Sequence, residues 1–176
     1  MSPDPIALDP ADGQPAIRYG VLPLHEVASV SGLDFLRGMI AGIYPAPPIA
    51  EISGMRLGRA DEGEVEFEGA PTHAFMNPLG TIHGGWTSIM LDTVMACAVH
   101  TMLKAGQGYT TAEFKVHFVR PVFPSSAPVR AVGSVIHAGG RLATSEGKLY
   151  DARGRLLAHG TETCFVFDVP KAAAAA

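Results

Sequence analysis

Asn77-Pro78-Leu79-Gly80-Thr81-Ile82-His83-Gly84-Gly85 runs directly into an apolar stretch that carries one carboxylate, Asp92. A Gly- and Pro-containing loop that opens an apolar helix leaves backbone N–H groups free at the helix N-terminus, where the dipole adds positive potential. Donors of that kind suit an oxygen that gains negative charge during a reaction. Asp92 is the complementary half. A carboxylate inside an otherwise apolar helix is costly to bury unless a partner or a function holds it there. The two features together read as a group that polarises an electrophile, plus a base or nucleophile.

The spacing carries a second consequence. Gly84 and Asp92 are eight residues apart, so at ~1.5 Å rise per residue they lie ~12 Å apart along the axis. One carbonyl cannot touch both. Two copies of the helix, antiparallel across a two-fold axis, would bring Gly84 of one and Asp92 of the other to the same carbon and create two equivalent sites. The catalytic unit is therefore expected to be a dimer. His83, at the border of the loop, is either a helix cap or a direct contact to the carbonyl. His73, His100, His117, His137 and His159 show no ligand spacing with Cys or Asp, and no metal is expected.

The elements that must hold these residues are visible in the hydropathy pattern. From Gly84 to Leu103 the chain is apolar nearly all round, with small Ala96, Cys97 and Ala98, and a helix without a polar face is a buried one. Its exceptions, Gly85, Ser88, Asp92 and Ala96, recur at three- and four-residue steps and form one small or polar stripe. Upstream, Ser31 with Asp34 signals a helix start, and Leu33, Phe35, Leu36, Met39 and Ile40 supply its apolar side. It stops near Gly42, and Pro45, Pro47 and Pro48 forbid its continuation. Met55 to Ala60 and Glu64 to Gly69 flank Asp61-Glu62-Gly63 as a hairpin, with Glu64, Glu66 and Glu68 on a solvated face. In Thr110 to Val119, Ala112, Phe114, Val116 and Phe118 share one face, and Thr111, Glu113, Lys115 and His117 the other. Strands at Val129 to His137, Leu142 to Tyr150 and Leu156 to Phe167 complete a meander. The architecture predicted is α+β, a strongly curved antiparallel sheet wrapped around one long central helix.

Composition narrows the class. The 176 residues are 47% apolar and 17% charged, which fits one ordered domain over 31–168 between a flexible arm (1–30) and a low-complexity tail (169–176). A net charge of −4 offers no basic field for nucleic acid. Cys97 and Cys164 make no disulfide framework and read as buried thiols of a reducing compartment. Met1 to Pro5 lacks the pattern of a signal peptide, and the Trp86–Leu103 stretch contains Asp92 and His100. A cytoplasmic protein without membrane contact is expected.

The Asn77–Gly85 motif with Asp92 resembles the signature of hotdog-fold acyl-CoA thioesterases, in the phenylacetic-acid-pathway (PaaI-like) branch. Ala112-Glu113-Phe114-Lys115-Val116-His117-Phe118-Val119-Arg120-Pro121 is similar to that family's next strand. Gly32 to Phe35-Leu36 and Pro45 to Ile49 resemble the segment that leads in, so the likeness covers roughly residues 31 to 167. It implies a hotdog fold and hydrolysis of acyl-CoA thioesters without metal or cofactor, coenzyme A being part of the substrate. It also implies a dimer of dimers, a homotetramer with active sites between subunits. By position, Asp92 matches the family's catalytic carboxylate and Gly84 the oxyanion N–H. Asn77 matches a polar residue near the thioester carbonyl, and Thr111 a hydroxyl that orients water. Some relatives have Glu in place of Asp92, and many have Ser or Thr where this chain has Ala96.

Thioester hydrolysis asks little of the protein. Because a thiolate leaves readily, one carboxylate and one oxyanion donor suffice, with Asp92 acting as general base on water or attacking directly to give a mixed anhydride. Gly85, Ser88, Trp86, Ile89, Met90 and Phe118 are candidates to line the substrate pocket. Arg120 at a strand end, and Arg141 beside the Gly139-Gly140 turn, are candidates to meet coenzyme A phosphates, although solvated strand ends explain both equally well. Two other classes remain open. A hotdog hydratase or dehydratase pairs His with a carboxylate on a different loop pattern. A non-catalytic acyl-CoA-binding or sensing protein keeps the pocket and loses the carboxylate, which is present here.

Overall fold

The computed structural model describes residues 16–170. Three short helices, α1 (Leu24–Val27), α2 (Gly32–Ile40) and α3 (Pro48–Ser53), lead into a hairpin of β1 (Met55–Asp61) and β2 (Glu64–Gly69). The 17-residue helix α4 (Gly84–His100) follows. Four strands then complete the domain: β3 (Gln107–Phe118), β4 (Val129–Ala138), β5 (Leu142–Tyr150) and β6 (Leu156–Asp168). All pairings are antiparallel, and the six strands lie in the order β1-β2-β4-β5-β6-β3. The predicted α+β architecture, one curved sheet around one long helix, is the one observed.

Helix α4 is the centre of the core because its sequence leaves no other place for it. Trp86, Met90, Leu91, Val94, Met95, Ala98 and Val99 are all buried, and α4 packs against every strand from β2 to β6. The approach is close because the strands beneath it present glycine. Gly133, Gly147 and Gly160 pair with one another across β4, β5 and β6. A Cβ on Gly133 would sit 2.2 Å from the Val94 carbonyl oxygen, and one on Gly147 would sit 2.7 Å from Met95 Cγ. Both distances are far inside van der Waals contact, so only hydrogen fits between sheet and helix.

The N-terminal helices close one end of this core. Ser31 caps α2, its Oγ accepting from the Asp34 N–H at 3.1 Å and donating to Asp34 Oδ2 at 2.6 Å. Helix α3 is absent from the sequence expectation. The prolines that end α2 also begin α3, since Pro48 occupies its first turn, where a missing N–H costs nothing.

Two further expectations are corrected. Within the arm expected over 1–30, residues 16–30 are tied to the domain; 1–15 lie outside the described residues. Arg18 Nη2 donates to the carbonyls of Gly42 and Ile43 at 2.9 and 2.8 Å, where the end of α2 leaves acceptors unsatisfied, and Tyr19 bridges to Ala46. At the other end, residues 171–176 of the expected tail also lie outside the described residues. The second correction concerns β3. Its pairing with β6 slips between Thr111 and Glu113, leaving Ala112 unpaired. This β-bulge breaks the strict alternation assumed from sequence. Thr111 therefore shares the inward face with Phe114, Val116 and Phe118, opposite Cys164, Glu162, Gly160 and Ala158, while Glu113, Lys115 and His117 face away. No helix among the described residues is long and apolar enough to cross a membrane.

The close approach of α4 makes a direct prediction. Gly133→Ala should destabilise the fold by about 1–3 kcal/mol or more through overpacking. Gly140→Ala, where an added Cβ meets nothing within 4 Å, should be near neutral. Urea midpoints of the two variants at equal m-value test the difference.

Candidate active site

The loop before α4 is held by its own side chains. Asn77 Oδ1 accepts from the N–H groups of Leu79 (2.9 Å) and Thr81 (3.2 Å), and its Nδ2 donates to Thr81 Oγ1 at 2.8 Å. Gly80 supplies the positive φ (80°) that the turn needs. The Ile82 N–H donates to the Val122 carbonyl at 2.8 Å and the His83 N–H to the Phe75 carbonyl at 2.7 Å, which fixes where the helix begins.

His83 is the N-cap of α4. Its Nδ1 accepts from the Gly85 N–H at 2.9 Å, and its carbonyl accepts from the Trp86 N–H at 3.0 Å. A neutral imidazole that accepts at Nδ1 carries its hydrogen on Nε2. With Gly85 and Trp86 engaged, Gly84 keeps the first-turn N–H that no acceptor among the described residues takes. Gly84, Asn77, Thr81, Thr87, Phe118 and Arg120 line an open hollow of about 410 Å³. The Phe118 ring lies over Gly84, so that an added Cβ would come within 3.1 Å of it. Arg120 stands at the rim, with Nη1 donating to the Leu156 carbonyl at 2.6 Å.

Asp92 sits further along the same helix in a different environment. It is half-buried, and Thr111 Oγ1 lies 3.3 Å from its Oδ1. The same hydroxyl lies 2.8 Å from Oε1 of Glu162, which also receives the Cys164 thiol at 3.2 Å. Glu162 is 1% exposed. Burial pushes the Asp92 carboxyl above its ordinary value, opposed only by the Thr111 hydrogen bond. Burial also pushes Glu162 up to about 7, assisted by the negative charges of Asp92 and Glu113. The Cys97 thiol is raised to about 12, first by burial and then by Glu162 and Asp92, which leaves it unreactive.

The sequence-derived candidates thus fall into groups. Asn77, Gly84, Phe118 and Arg120 converge on the hollow at the start of α4. Asp92 and Thr111 meet eight residues along it. Trp86 lines neither place: it is 1% exposed, and its Nε1 donates to the Ser53 carbonyl at 2.9 Å, so it belongs to the core. Met90 is fully buried beside it. Ser88 spends its hydroxyl on the Gly84 carbonyl at 2.9 Å, and Ile89 packs against the core. The Gly85 N–H is spent on the cap. Gly139, Gly140 and Arg141 form the β4–β5 turn at the far end of the sheet, where Leu142 pairs with Phe165 beside the Thr111 end of β3. Phe118 and Thr111 are seven residues apart, so at ~3.3 Å per residue that turn lies ~20 Å from the Gly84 hollow of the same chain. Glu162 is the functional candidate that the sequence reading missed. The alternation Gly160, Glu162, Cys164, Val166 is the signal that places it inward.

A curled antiparallel sheet around an apolar helix, with a capped glycine loop at the helix start and a carboxylate within it, defines a hotdog-fold thioesterase. The description "thioesterase superfamily" belongs to the family model that matches residues 79–158. A phenylacetic acid degradation-related protein from Ralstonia eutropha JMP134 is 30% identical with a TM-score of 0.68, over 74% of this chain and 98% of that one. Two more distant structures share the fold. The PaaI protein of the Escherichia coli phenylacetic acid degradation operon is 20% identical (TM-score 0.62, 70% of this chain and 88% of that one). A thioesterase from Haemophilus influenzae is 21% identical (TM-score 0.64, 69% and 83%). No curated protein matches the sequence. The chain belongs to the thioesterase superfamily, in its PaaI-like hotdog branch.

The cap separates two roles for His83. His83→Ala removes the acceptor for the Gly85 N–H and should cost about 1 kcal/mol of stability, whereas His83→Asn keeps an acceptor and should cost a few tenths at most. Urea unfolding of both variants checks this; equal losses would show that the imidazole ring stabilises by packing and not by capping.

Proposed function

We propose that the protein hydrolyses acyl-CoA thioesters to the free acid and coenzyme A, with the two catalytic ends of α4 supplied by different copies of the chain. The observation that carries this reading is the placement of the free Gly84 N–H and the half-buried Asp92 eight residues apart on the one continuous helix α4, too far apart to serve one carbon. In a two-fold pair with antiparallel α4 helices, the Gly84 N–H of one copy polarises the thioester carbonyl and Asp92 of the other approaches the same carbon. Asp92 then takes a proton from water as the water oxygen adds to the carbonyl, or adds directly as a nucleophile to give a mixed anhydride that water afterwards hydrolyses to the free acid and the regenerated carboxylate. The oxygen that becomes negative is met by the helix N-terminus, and collapse of the tetrahedral adduct expels the thiolate.

The sheet supports such a pairing. β3 is an edge strand, 12 residues long, and a long unpaired edge is a ready template for a second copy. The same two-fold would set the Gly139–Arg141 turn of one copy near Arg120 of the other, which gives both arginines access to one coenzyme A. On the outer face, Leu142 pairs directly with Phe165, and both are exposed, as is Phe167. These apolar side chains support a second interface and hence a homotetramer.

Two measurements test the proposal. Asp92→Asn keeps shape and removes charge, so kcat should fall by at least ~100-fold while acyl-CoA binding survives; a near wild-type rate against a panel of acyl-CoA esters would overturn the assignment. The second is complementation. Gly84→Pro removes the oxyanion N–H at a position that accepts proline, because it is the first helical residue and His83 before it is already extended (φ −60°, ψ 139°). The exposed Phe118 ring must yield slightly. Mixed with Asp92→Asn, this variant gives dimers with one doubly defective and one intact site, so activity should recover toward half of wild type. No recovery in mixed dimers verified by mass spectrometry would mean that each site belongs to one chain.

A further inference from the structure

Glu162 is a buried carboxyl that the mechanism above does not use. It reaches Thr111 Oγ1 at 2.8 Å, and Thr111 Oγ1 reaches Asp92 Oδ1 at 3.3 Å. A hydroxyl has one proton to give and two lone pairs with which to accept. If both carboxyls were ionised, they would compete for that single proton, and the shorter contact would give it to Glu162. Asp92 would then face a hydroxyl oxygen without a hydrogen. We propose that Glu162 is a positioning residue for Asp92: it donates a hydrogen bond to Thr111 Oγ1 and thereby commits the Thr111 hydroxyl proton to Asp92 Oδ1. The inference rests on the reading of Asp92 as the catalytic carboxylate.

The surroundings favour the donor form of Glu162. Among the described residues its buried Oε2 has no hydrogen-bond partner, and neither does Oγ of Ser145, its register neighbour on β5. An ionised carboxylate with one bare oxygen in the core is far more costly than a neutral acid whose carbonyl oxygen is bare. Among the described residues the groups that face it carry no positive charge: Asp92 and Cys97 from α4, Tyr109 and Thr111 from β3, Ser145 from β5, and Cys164 from β6 itself, while Glu113, on the outer face of β3, adds a further negative charge through space. Burial and the two neighbouring carboxylates hold its proton on up to about pH 7. Asp92, only half-buried and accepting from Thr111, is the member that ionises first. One proton is then shared by the pair and lies on Glu162, with both hydrogen bonds of the chain directed toward Asp92.

The substitution Glu162→Gln tests this directly, because the amide is isosteric, neutral at all pH, and able to donate to Thr111 Oγ1. Wild type should lose kcat as pH rises through about 7, whereas Glu162→Gln should keep kcat within about 3-fold of the wild-type plateau and show no inflection there. Glu162→Leu, which cannot donate, should lose roughly 10-fold or more in kcat at every pH with KM little changed. A readout without substrate accompanies these. A carboxyl whose pKa is raised on folding destabilises the native state progressively as pH climbs from its unfolded value of 4.5 to about 7. The melting temperature of Glu162→Gln relative to wild type should therefore rise between pH 5 and pH 8. The inference is overturned if Glu162→Gln retains the inflection near pH 7, or if Glu162→Leu, folded, matches Glu162→Gln in rate. Should Glu162→Leu not fold, the comparison of wild type with Glu162→Gln decides alone. Activity in Asp92→Asn would instead sink the catalytic reading beneath it, so the two failures are distinct.

Discussion

The distance between α4 and the sheet governs the rest of the molecule. An α-helix packed on a sheet normally stands off by the thickness of two side-chain layers. Here Gly133 and Gly147 remove one layer on the adjacent strands β4 and β5, and the Val94 carbonyl oxygen comes within 2.2 Å of where a Gly133 Cβ would be. The sheet can then curl around the helix and cover it on nearly every side, as an all-apolar helix requires. The same closeness brings the Thr111 hydroxyl from β3 within reach of both Asp92 on α4 and Glu162 on β6. With a conventional stand-off, these groups would sit in separate environments.

The site combines a rigid donor with a desolvated acid. At the donor end the side chains of Asn77 and His83 saturate the loop, so the one remaining N–H is fixed in direction before any substrate arrives. That is the condition under which a hydrogen bond stabilises developing charge without reorganisation cost. At the acid end, no cation among the described residues balances Asp92 and Glu162. Burial raises both carboxyls, the Thr111 hydrogen bond opposes it at each, and the Asp92 charge adds to the rise at Glu162. Thr111 is the joint of the pair, and it faces inward only because the bulge at Ala112 shifts the strand by one residue.

Much of this was legible in the sequence, for physical reasons that differ by element. Helix α4 announced itself by the absence of any polar face, and the loop before it by glycines and a proline with a capping histidine. The β2 glutamates declared a solvated face, and the C-terminal strands were placed to within a few residues. What stayed hidden was non-local. The bulge depends on how β3 registers with β6, and no pattern within β3 alone reveals it. Glu162 lies in Thr161-Glu162-Thr163, a polar run that reads as solvated until Cys164 and Val166 fix which side faces the core. Trp86 reads from sequence as either core or pocket wall, and the carbonyl of Ser53 from α3, itself unforeseen, claims its indole N–H and decides for the core. Arg120 and Arg141 looked equivalent by charge, and only the strand pairing shows that they occupy opposite ends of the sheet.

The all-apolar character of α4 also shapes how the protein must be made. Translation proceeds from the N-terminus, so α4 leaves the ribosome when β1 and β2 are the only strands made, and four of the five strands that pack against it have not yet been synthesised. For that interval a helix with Trp86, Met90, Leu91, Val94 and Met95 around its circumference has no solvated face to turn outward. Its shelter comes from strands that close in reverse, since β3, the next to emerge, can pair only with β6, the last. The architecture that brings Asp92 and Glu162 together in the finished domain thus gives the nascent chain a period of exposed apolar surface, in which its yield depends on the pace of elongation and on chaperone cover.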